Sequence, residues 1–181
     1  MNTVKYIYNG GLAFSEEKDM QRLSKYAKEG WILESSAFMG FVYKLRKGNP
    51  TDLVYNLDYR MDADDEYFSY FQEAGWKLVC SFGNQIYIFA APVGTKPIYS
   101  DSSSLVEKYE QEKSKMGTYA LPFLIATLVF FLAPMLGFGT LLPLWLDKTL
   151  FIFGMISLIP LIFTGLPFIG YVLRLKRINK K

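Results

Sequence analysis

The sequence predicts an α+β protein in which two strand-helix-strand-strand repeats form one cytoplasmic domain, followed by a two-helix transmembrane hairpin. Three observations predict it: "AKEGWIL" returns 45 residues later as "QEAGWKLV", alternating apolar and polar residues flank both stretches, and two long uncharged runs follow. We divide the chain into a duplicated soluble domain at 1–93, a juxtamembrane linker and helix at 94–117, and two transmembrane helices with a basic cytoplasmic tail at 118–181.

The first repeat contains an amphipathic helix with apolar residues at helical spacing. Ser15 is the expected N-cap, with Glu16 and Glu17 in the first helical turn. Gly30 ends the helix, because the residue after a helix commonly takes a positive φ that glycine adopts without strain. Trp31 then packs back over the helix end.

The second repeat is predicted to follow the same pattern. Asp62 or Asp64 caps the helix, Gly75 ends it, and Trp76 packs over the end. We interpret both glycine-tryptophan pairs as structural anchors rather than as a ligand-stacking device, and we expect Trp31 and Trp76 to occupy equivalent buried positions. The alternating stretch "DLVYNLDYR" is a half-buried strand, and hairpins are expected to turn near residues 39–40 and 83–84.

Two uncharged runs, 117–146 and 149–173, are each longer than the roughly 20 apolar residues that cross a bilayer. Asp147 and Lys148 separate the runs and are expected to form the connection between the spans. Neither run contains Asp, Glu, Lys, Arg or His, which argues against an ion or proton path. Their glycines and prolines allow kinks and close approach of helices. Such close approach would also allow a homo-oligomer that forms through the spans.

Charge predicts the orientation, because Lys and Arg near span ends favour the cytoplasmic side. The end of the chain, "RLKRINKK", is strongly basic, whereas the connection between the spans has only Lys148. Both termini should therefore be cytoplasmic. Residues 1–117 contain 14 basic and 16 acidic residues, a net charge of −2, so we expect no nucleic-acid partner.

The sequence contains no motif for common catalytic chemistry. It has no histidine, which removes the commonest general base and metal ligand. Cys80 has no histidine partner and is interpreted as a buried strand residue. The acidic run at 62–66 matches no calcium loop and suits helix capping. We predict no enzyme activity, no cofactor and no metal.

Two further groups of residues are candidates for function. Tyrosines on the predicted sheets would line a groove for a small molecule or peptide. The segment ahead of the first span would form a helical lever that joins the soluble domain to the membrane, with a passive linker as the alternative. The groove residues are Tyr43, Tyr55, Tyr59 and Tyr87, and the lever residues are Leu105, Val106 and Tyr109.

A family resemblance rests on four stretches in order: "FVYKLRKGNPTDLVYNLDYR", "EAGW", "SFGNQIYIFAAP" and "PIYSDSSSLVEKYEQ". Over roughly residues 4–115 the chain resembles the bacterial domain-of-unknown-function family 2812. The resemblance implies a bacterial membrane protein whose gene often lies beside that of a PadR-type regulator, and it supplies no catalytic residues. The repeated order also resembles, in topology only, gyrase-inhibitor-like ligand-binding domains.

Two functions are consistent with this layout. The first is a membrane-anchored cytoplasmic binding or regulatory protein, in a PadR-linked or envelope-stress response, with a protein partner or a small-molecule or peptide ligand. The alternative is an immunity or resistance factor that acts through its two spans. In both, the protein is a multi-pass protein of the bacterial cell membrane, with the lipid bilayer as a partner.

Overall fold

The computed structural model describes residues 3–99, 102–134 and 144–180. It is α+β, with two three-stranded sheets followed by two long apolar helices. Contacts divide the chain into a first unit, Met1–Leu105, and a second unit, Val106–Lys181.

The first unit contains two successive sets of strand, helix, strand and strand. The first set is β1 (Val4–Tyr8), α1 (Leu12–Lys28), β2 (Trp31–Ala37) and β3 (Val42–Lys47), with a single 3₁₀ turn at Phe38–Gly40. The second set is β4 (Leu53–Tyr59), α2 (Asp65–Glu73), β5 (Lys77–Phe82) and β6 (Ile86–Pro92).

Both sheets place their third strand in the middle. The strand orders are β1-β3-β2 and β4-β6-β5, and every pairing is antiparallel. The register shifts between Leu33 and Ser35 in β2 and between Leu78 and Cys80 in β5, two positions that are 45 residues apart. The predicted element order is therefore present in both halves. Its origin in a duplicated unit stays a prediction.

The helix ends agree with the sequence at three of four positions. Gly30 and Gly75 have φ of 79° and 87°, and the Asp64 carboxylate accepts the Tyr67 backbone N–H at 2.9 Å. The prediction that Ser15 caps α1 is wrong. The helix begins earlier, at Leu12, because the Gly11 carbonyl already accepts backbone N–H groups, so Ser15 lies inside the helix.

Two apolar clusters form the core of the first unit, one on each side of β6. The first includes Leu23 of α1 and Leu45 of β3, and Ile88 and Ala90 of β6 contribute to it. The second is mainly aromatic and lies against α2. It consists of Phe71, Trp76, Tyr87, Phe89 and Ala91. Because successive strand residues point to opposite faces, β6 is buried on both faces.

The second unit contains most of α3 (Ser102–Ala133) and all of α4 (Leu144–Ile178). Both helices are long and apolar enough to cross a membrane. Asp147 and Lys148 do not connect the spans, since α4 already begins at Leu144 and contains both. Asp147 lies in the first turn of α4, where the positive end of the helix dipole favours an acidic residue. Residues 135–143, which lie between the two helices in the chain, are outside the described ranges.

Candidate functional site

The four tyrosines predicted to line a groove are mostly buried. Tyr43, Tyr55 and Tyr87 are between 1% and 6% exposed and belong to the two core clusters, while Tyr59 is half-buried. Their rings pack the interior instead of lining an open groove. The sequence pattern located the strands correctly but could not distinguish a groove face from a core face, because tyrosine suits both.

Tyr43 nevertheless faces a small internal cavity of about 10 Å³. Its hydroxyl has no hydrogen-bond partner within the described part of the chain, and Ser36, Cys80 and Ser81 also line the cavity. A cavity of this size holds about one water molecule when its walls are polar. Burial raises the pKa of the Tyr43 hydroxyl well above its usual value, so it stays protonated.

A buried carboxylate is the most distinctive polar feature of the first unit. Asp58 is 6% exposed, and its two oxygens accept hydrogen bonds from two tyrosine hydroxyls. The Tyr67 hydroxyl donates to Asp58 Oδ2 at 2.7 Å, and the Tyr99 hydroxyl donates to Asp58 Oδ1. Burial, reinforced by the negative charge of Asp58, raises the pKa of both tyrosines well above the usual value. Both tyrosine hydroxyls therefore stay protonated and donate to the Asp58 carboxylate.

Strand alternation explains why Asp58 points to this place. Leu57 belongs to the first core cluster and Tyr59 packs against it, so Asp58 between them points to the opposite face of β4. On that face lies α2, which contributes Tyr67. The Tyr67 ring packs edge-on against Phe71 with 4.8 Å between ring centroids, which holds its hydroxyl over the carboxylate.

Tyr99 belongs to the segment between β6 and α3, residues 93–99, which we call the connector. A second hydrogen bond also holds the connector, from Trp76 Nε1 to the Lys96 carbonyl oxygen at 3.0 Å. Between these two points Ile98 packs against the aromatic cluster. The connector is thus attached to the second half of the unit by hydrogen bonds and apolar contact.

The first half contains a comparable pair of buried carboxylates on α1. Glu16 accepts a hydrogen bond from the Tyr59 hydroxyl at 3.2 Å. Asp19 accepts one from the Gly10 backbone N–H at 2.9 Å and pairs with Arg22 at 3.2 Å. These contacts tie α1 to β4 and to the loop that precedes the helix.

Comparison with known families gives one match. The model for "Protein of unknown function (DUF2812)" matches residues 15–121, which is more than half of the chain. The chain belongs to the DUF2812 family. No curated protein and no solved structure gave a significant match. The DUF2812 match runs from α1 into α3 and so includes Asp58, Tyr67 and Tyr99.

The residues interpreted as anchors in this DUF2812 protein differ from each other. Trp76 is 3% exposed, whereas Trp31 is half-buried, with Lys5 Nζ 5.4 Å and Lys47 Nζ 4.9 Å from its ring. Equivalent burial of the two tryptophans was therefore a wrong expectation. Trp76 contacts the connector through its indole N–H, and the anchoring role of both pairs stays a prediction.

The predicted lever residues all lie in α3, which is one continuous helix from Ser102 to Ala133. Leu105 and Val106 are half-buried, and Tyr109 is 3% exposed. Within the second unit, the Tyr109 ring stacks on Tyr171 with 6.1 Å between centroids. The helical conformation agrees with the sequence, and the mechanical role stays a prediction.

The Cys80 thiol is poorly suited to nucleophilic chemistry near neutral pH. Burial raises the pKa of the Cys80 thiol to about 11, so it is a protonated and weak nucleophile. Among the residues that the structure describes, no group of three His, Cys, Asp or Glu side chains could hold a metal ion. The two hydrogen bonds to Asp58 attach the connector to α2 and β4.

Proposed function

We propose that this DUF2812 protein is a non-enzymatic, membrane-anchored binding or regulatory protein whose first unit lies in the cytoplasm. In this proposal, a ligand or partner binds the first unit and changes how the connector is held. The observation that carries the proposal is Asp58, which accepts hydrogen bonds from α2 through Tyr67 and from the connector through Tyr99.

Membrane anchoring is supported by the surface of the two long helices. Their most apolar windows have mean hydropathies of 1.9 and 2.2, and only 6% and 11% of those windows is buried inside the protein. Large apolar side chains therefore face outward. Examples along α4 are Phe151, Ile152, Phe153, Ile156, Ile159 and Phe163, each at least half exposed. A lipid environment accounts for such a surface, since monomeric soluble proteins rarely expose contiguous apolar area of this extent.

The orientation can be tested with single cysteines. We expect Thr3→Cys and Asn179→Cys, each in a Cys80→Ala background, to be protected from a membrane-impermeant thiol reagent in whole cells. Lys148→Cys, near the opposite end of the second span, should be labelled. Labelling of either terminal position from outside would contradict the cytoplasmic placement.

The connection between binding and the membrane follows from the shared carboxylate. A buried carboxylate that loses one of its donors is destabilised by about 1 to 3 kcal/mol, so the two tyrosine contacts are energetically coupled. A ligand or partner that moves α2, and with it Tyr67, changes the contact between Asp58 and Tyr99. Tyr99 is three residues before the start of α3 at Ser102. Release of the connector would therefore free the beginning of the first membrane helix.

The test is Tyr99→Phe in the full chain, reconstituted in vesicles and followed by amide hydrogen exchange. We expect faster exchange in peptides that cover residues 93–105, because the hydroxyl that holds the connector is gone. Tyr59→Phe is the matched control, since it removes the same hydroxyl from a different carboxylate, Glu16. Equal exchange of the connector in the parent and in Tyr99→Phe would contradict the proposal.

The bacterial, PadR-linked or envelope-stress setting is part of the proposal and is supported by the family resemblance alone. It predicts that a strain with the Tyr99→Phe protein differs from the parent in transcription of a neighbouring regulator gene or of envelope-stress genes. Unchanged transcripts in both this strain and a deletion strain would contradict that setting.

The alternative, an immunity or resistance factor acting through its spans, is favoured by one observation. Thr127 of α3 and Ser157 of α4 form a buried hydrogen bond of 2.8 Å between the apolar segments. Cells producing only residues 106–181 distinguish the two functions. A binding or regulatory protein loses its phenotype in this form, whereas a factor acting through the spans keeps it.

A further inference from the structure

The two helices of the second unit contact each other at successive levels in antiparallel order. Tyr109 stacks on Tyr171 near one end, and Thr127 hydrogen-bonds Ser157 further along. Between these levels Gly117 lies so close to Phe168 that an added Cβ would be 3.1 Å from the ring. The helices are therefore held together on both sides of residues 118–126 of α3.

An apolar groove of about 500 Å³ lies between α3 and α4 at this level. Along α4 its lining extends from residue 161 to residue 169, a length of about 12 Å at 1.5 Å per residue. This is most of the roughly 15 Å that one leaflet contributes to the hydrocarbon core. All side chains that line the groove are apolar, including Ala120, Leu124 and Leu161.

Basic residues are concentrated beyond one end of the groove. Residues 107–116 and 174–180, which continue the two helices past Gly117 and Ile169, contain seven basic and three acidic residues, a net charge of +4. Lys113 and Lys115 pair with Glu110 and Glu112 on α3, and residues 174–180 of α4 contain four basic residues and no acidic residue. Along α4, Arg174 is five residues beyond Ile169, a rise of about 7 to 8 Å. Its guanidinium lies 4.4 Å from the centroid of the Tyr109 ring.

We propose that this groove binds one acyl chain of an anionic phospholipid, whose phosphate lies among the basic residues at 174–177. The inference rests on the membrane anchoring proposed above. It assigns the chain a specific lipid site in addition to general bilayer contact. Charge complementarity carries it: the groove accepts only apolar groups, and the adjacent surface attracts a negative headgroup.

A second copy of the chain fits the groove less well. A copy inserted in the same orientation would bring its own basic residues to the same end, where like charges repel. The Thr127–Ser157 contact also closes the groove after about 12 Å. A single acyl chain requires neither a longer groove nor compensation of the positive charge.

The experiment uses the full chain in phosphatidylcholine vesicles that contain a small fraction of a lipid with a photoreactive acyl chain. This photoreactive lipid is phosphatidylglycerol in one sample and phosphatidylcholine in the other. Crosslinked peptides are located by mass spectrometry. We expect phosphatidylglycerol to label residues 117–124 and 161–169 in preference to phosphatidylcholine. Each basic residue removed, as in Lys176→Gln or Arg177→Gln, should reduce that preference about fivefold, corresponding to about 1 kcal/mol per charge.

A variant that fills the groove provides the second arm. Gly165→Leu places a side chain in the groove, where its Cβ has only an ordinary contact of 3.7 Å with Leu161, and should abolish the labelling. Val129→Phe adds bulk at an exposed position of α3 that does not line the groove, and it should leave the labelling unchanged.

Three outcomes would overturn the lipid site. Equal labelling by both lipids would show ordinary bilayer contact, and unchanged labelling in Gly165→Leu would place the lipid elsewhere. Crosslinks between two protein chains at these residues would show a second copy as the occupant. Loss of the chain from the vesicles on alkaline carbonate extraction is a different result, since it would contradict the membrane anchoring itself.

Discussion

The two halves of the first unit, residues 4–47 and 53–92, have the same strand order and different interiors. The first half buries aliphatic side chains of the 17-residue helix α1. The second has a helix of only 9 residues and an aromatic cluster, in which Phe71 stacks on Phe89 with 4.4 Å between centroids. The comparison shows that a shared topology does not require shared packing.

The connector accounts for much of this difference. The buried Trp76 finds its hydrogen-bond acceptor in the connector, at the Lys96 carbonyl. In the first half Lys5 and Lys47 lie beside the Trp31 ring instead. A buried indole N–H needs a partner, whereas a half-buried ring beside two cations does not.

The largest difference between the halves is expected for truncation of the two tryptophans. Trp76→Ala should reduce the free energy of unfolding by about 3 to 5 kcal/mol, because it opens a cavity in the aromatic cluster. Trp31→Ala should cost about 1 to 2 kcal/mol, since less apolar surface is lost. Amide hydrogen exchange of β6 in the full chain measures both. Equal losses would show that the halves are equivalent in energy despite their different burial.

The helix-ending glycines sharpen the comparison with a smaller effect. A Cβ on Gly30 would lie 2.6 Å from the Gly48 carbonyl oxygen, which is backbone, whereas on Gly75 it would meet the Thr95 methyl at an ordinary 3.4 Å. Both positions have positive φ, which alone costs about 1 to 2 kcal/mol for alanine. We therefore expect Gly30→Ala to cost about 3 kcal/mol and Gly75→Ala about 1 kcal/mol by the same measurement. A larger loss for Gly75→Ala would contradict this order.

The sequence was sufficient for the elements because their signals are local. The signals are the helix-ending glycines Gly30 and Gly75, the turns at Gly40 and Gly83, and the uncharged runs. Each depends on neighbouring residues in the chain, and the corresponding helices and hairpins are present. Asp58 was not found as a site residue. In an alternating strand an aspartate reads as solvent-facing, and only the tertiary contact with Tyr67 and Tyr99 makes it buried and bonded.

Other errors have the same origin. The pattern favoured a polar groove face for Tyr43, Tyr55 and Tyr87 because tyrosine has a hydroxyl, yet packing in the two core clusters buries their rings. Glu16 was predicted only as a first-turn acid, and it is buried and accepts a hydrogen bond from the Tyr59 hydroxyl. A buried charge is rare enough that a sequence pattern does not predict it, although an acid on a helix face that is otherwise apolar is a usable signal.

An effect confined to alkaline pH is expected at the position where β2 and β5 differ in a titratable group. Cys80 follows the register shift in β5, and the corresponding residue of β2 is Ser35, which does not titrate. Burial raises the pKa of the Cys80 thiol from 9.0 to about 11. The folded state therefore keeps this proton where the unfolded chain has lost it.

This shift gives the sign of a pH dependence. Because the acid has a higher pKa when folded, its contribution is present below pH 9 and is lost as the pH rises through the interval from 9 to about 11. The loss amounts to about 2 kcal/mol for a shift of this size. Cys80→Ser makes the two strands alike at this position and should flatten the unfolding free energy of the full chain between pH 9 and 10. Above pH 10 both proteins lose stability, because burial raises the pKa of several tyrosines above the unfolded value of 10.0. If the parent and Cys80→Ser lost stability in parallel between pH 9 and 11, the thiol would have to be accessible to water in the folded state, and the difference between the two sheets at this position would be one of sequence only.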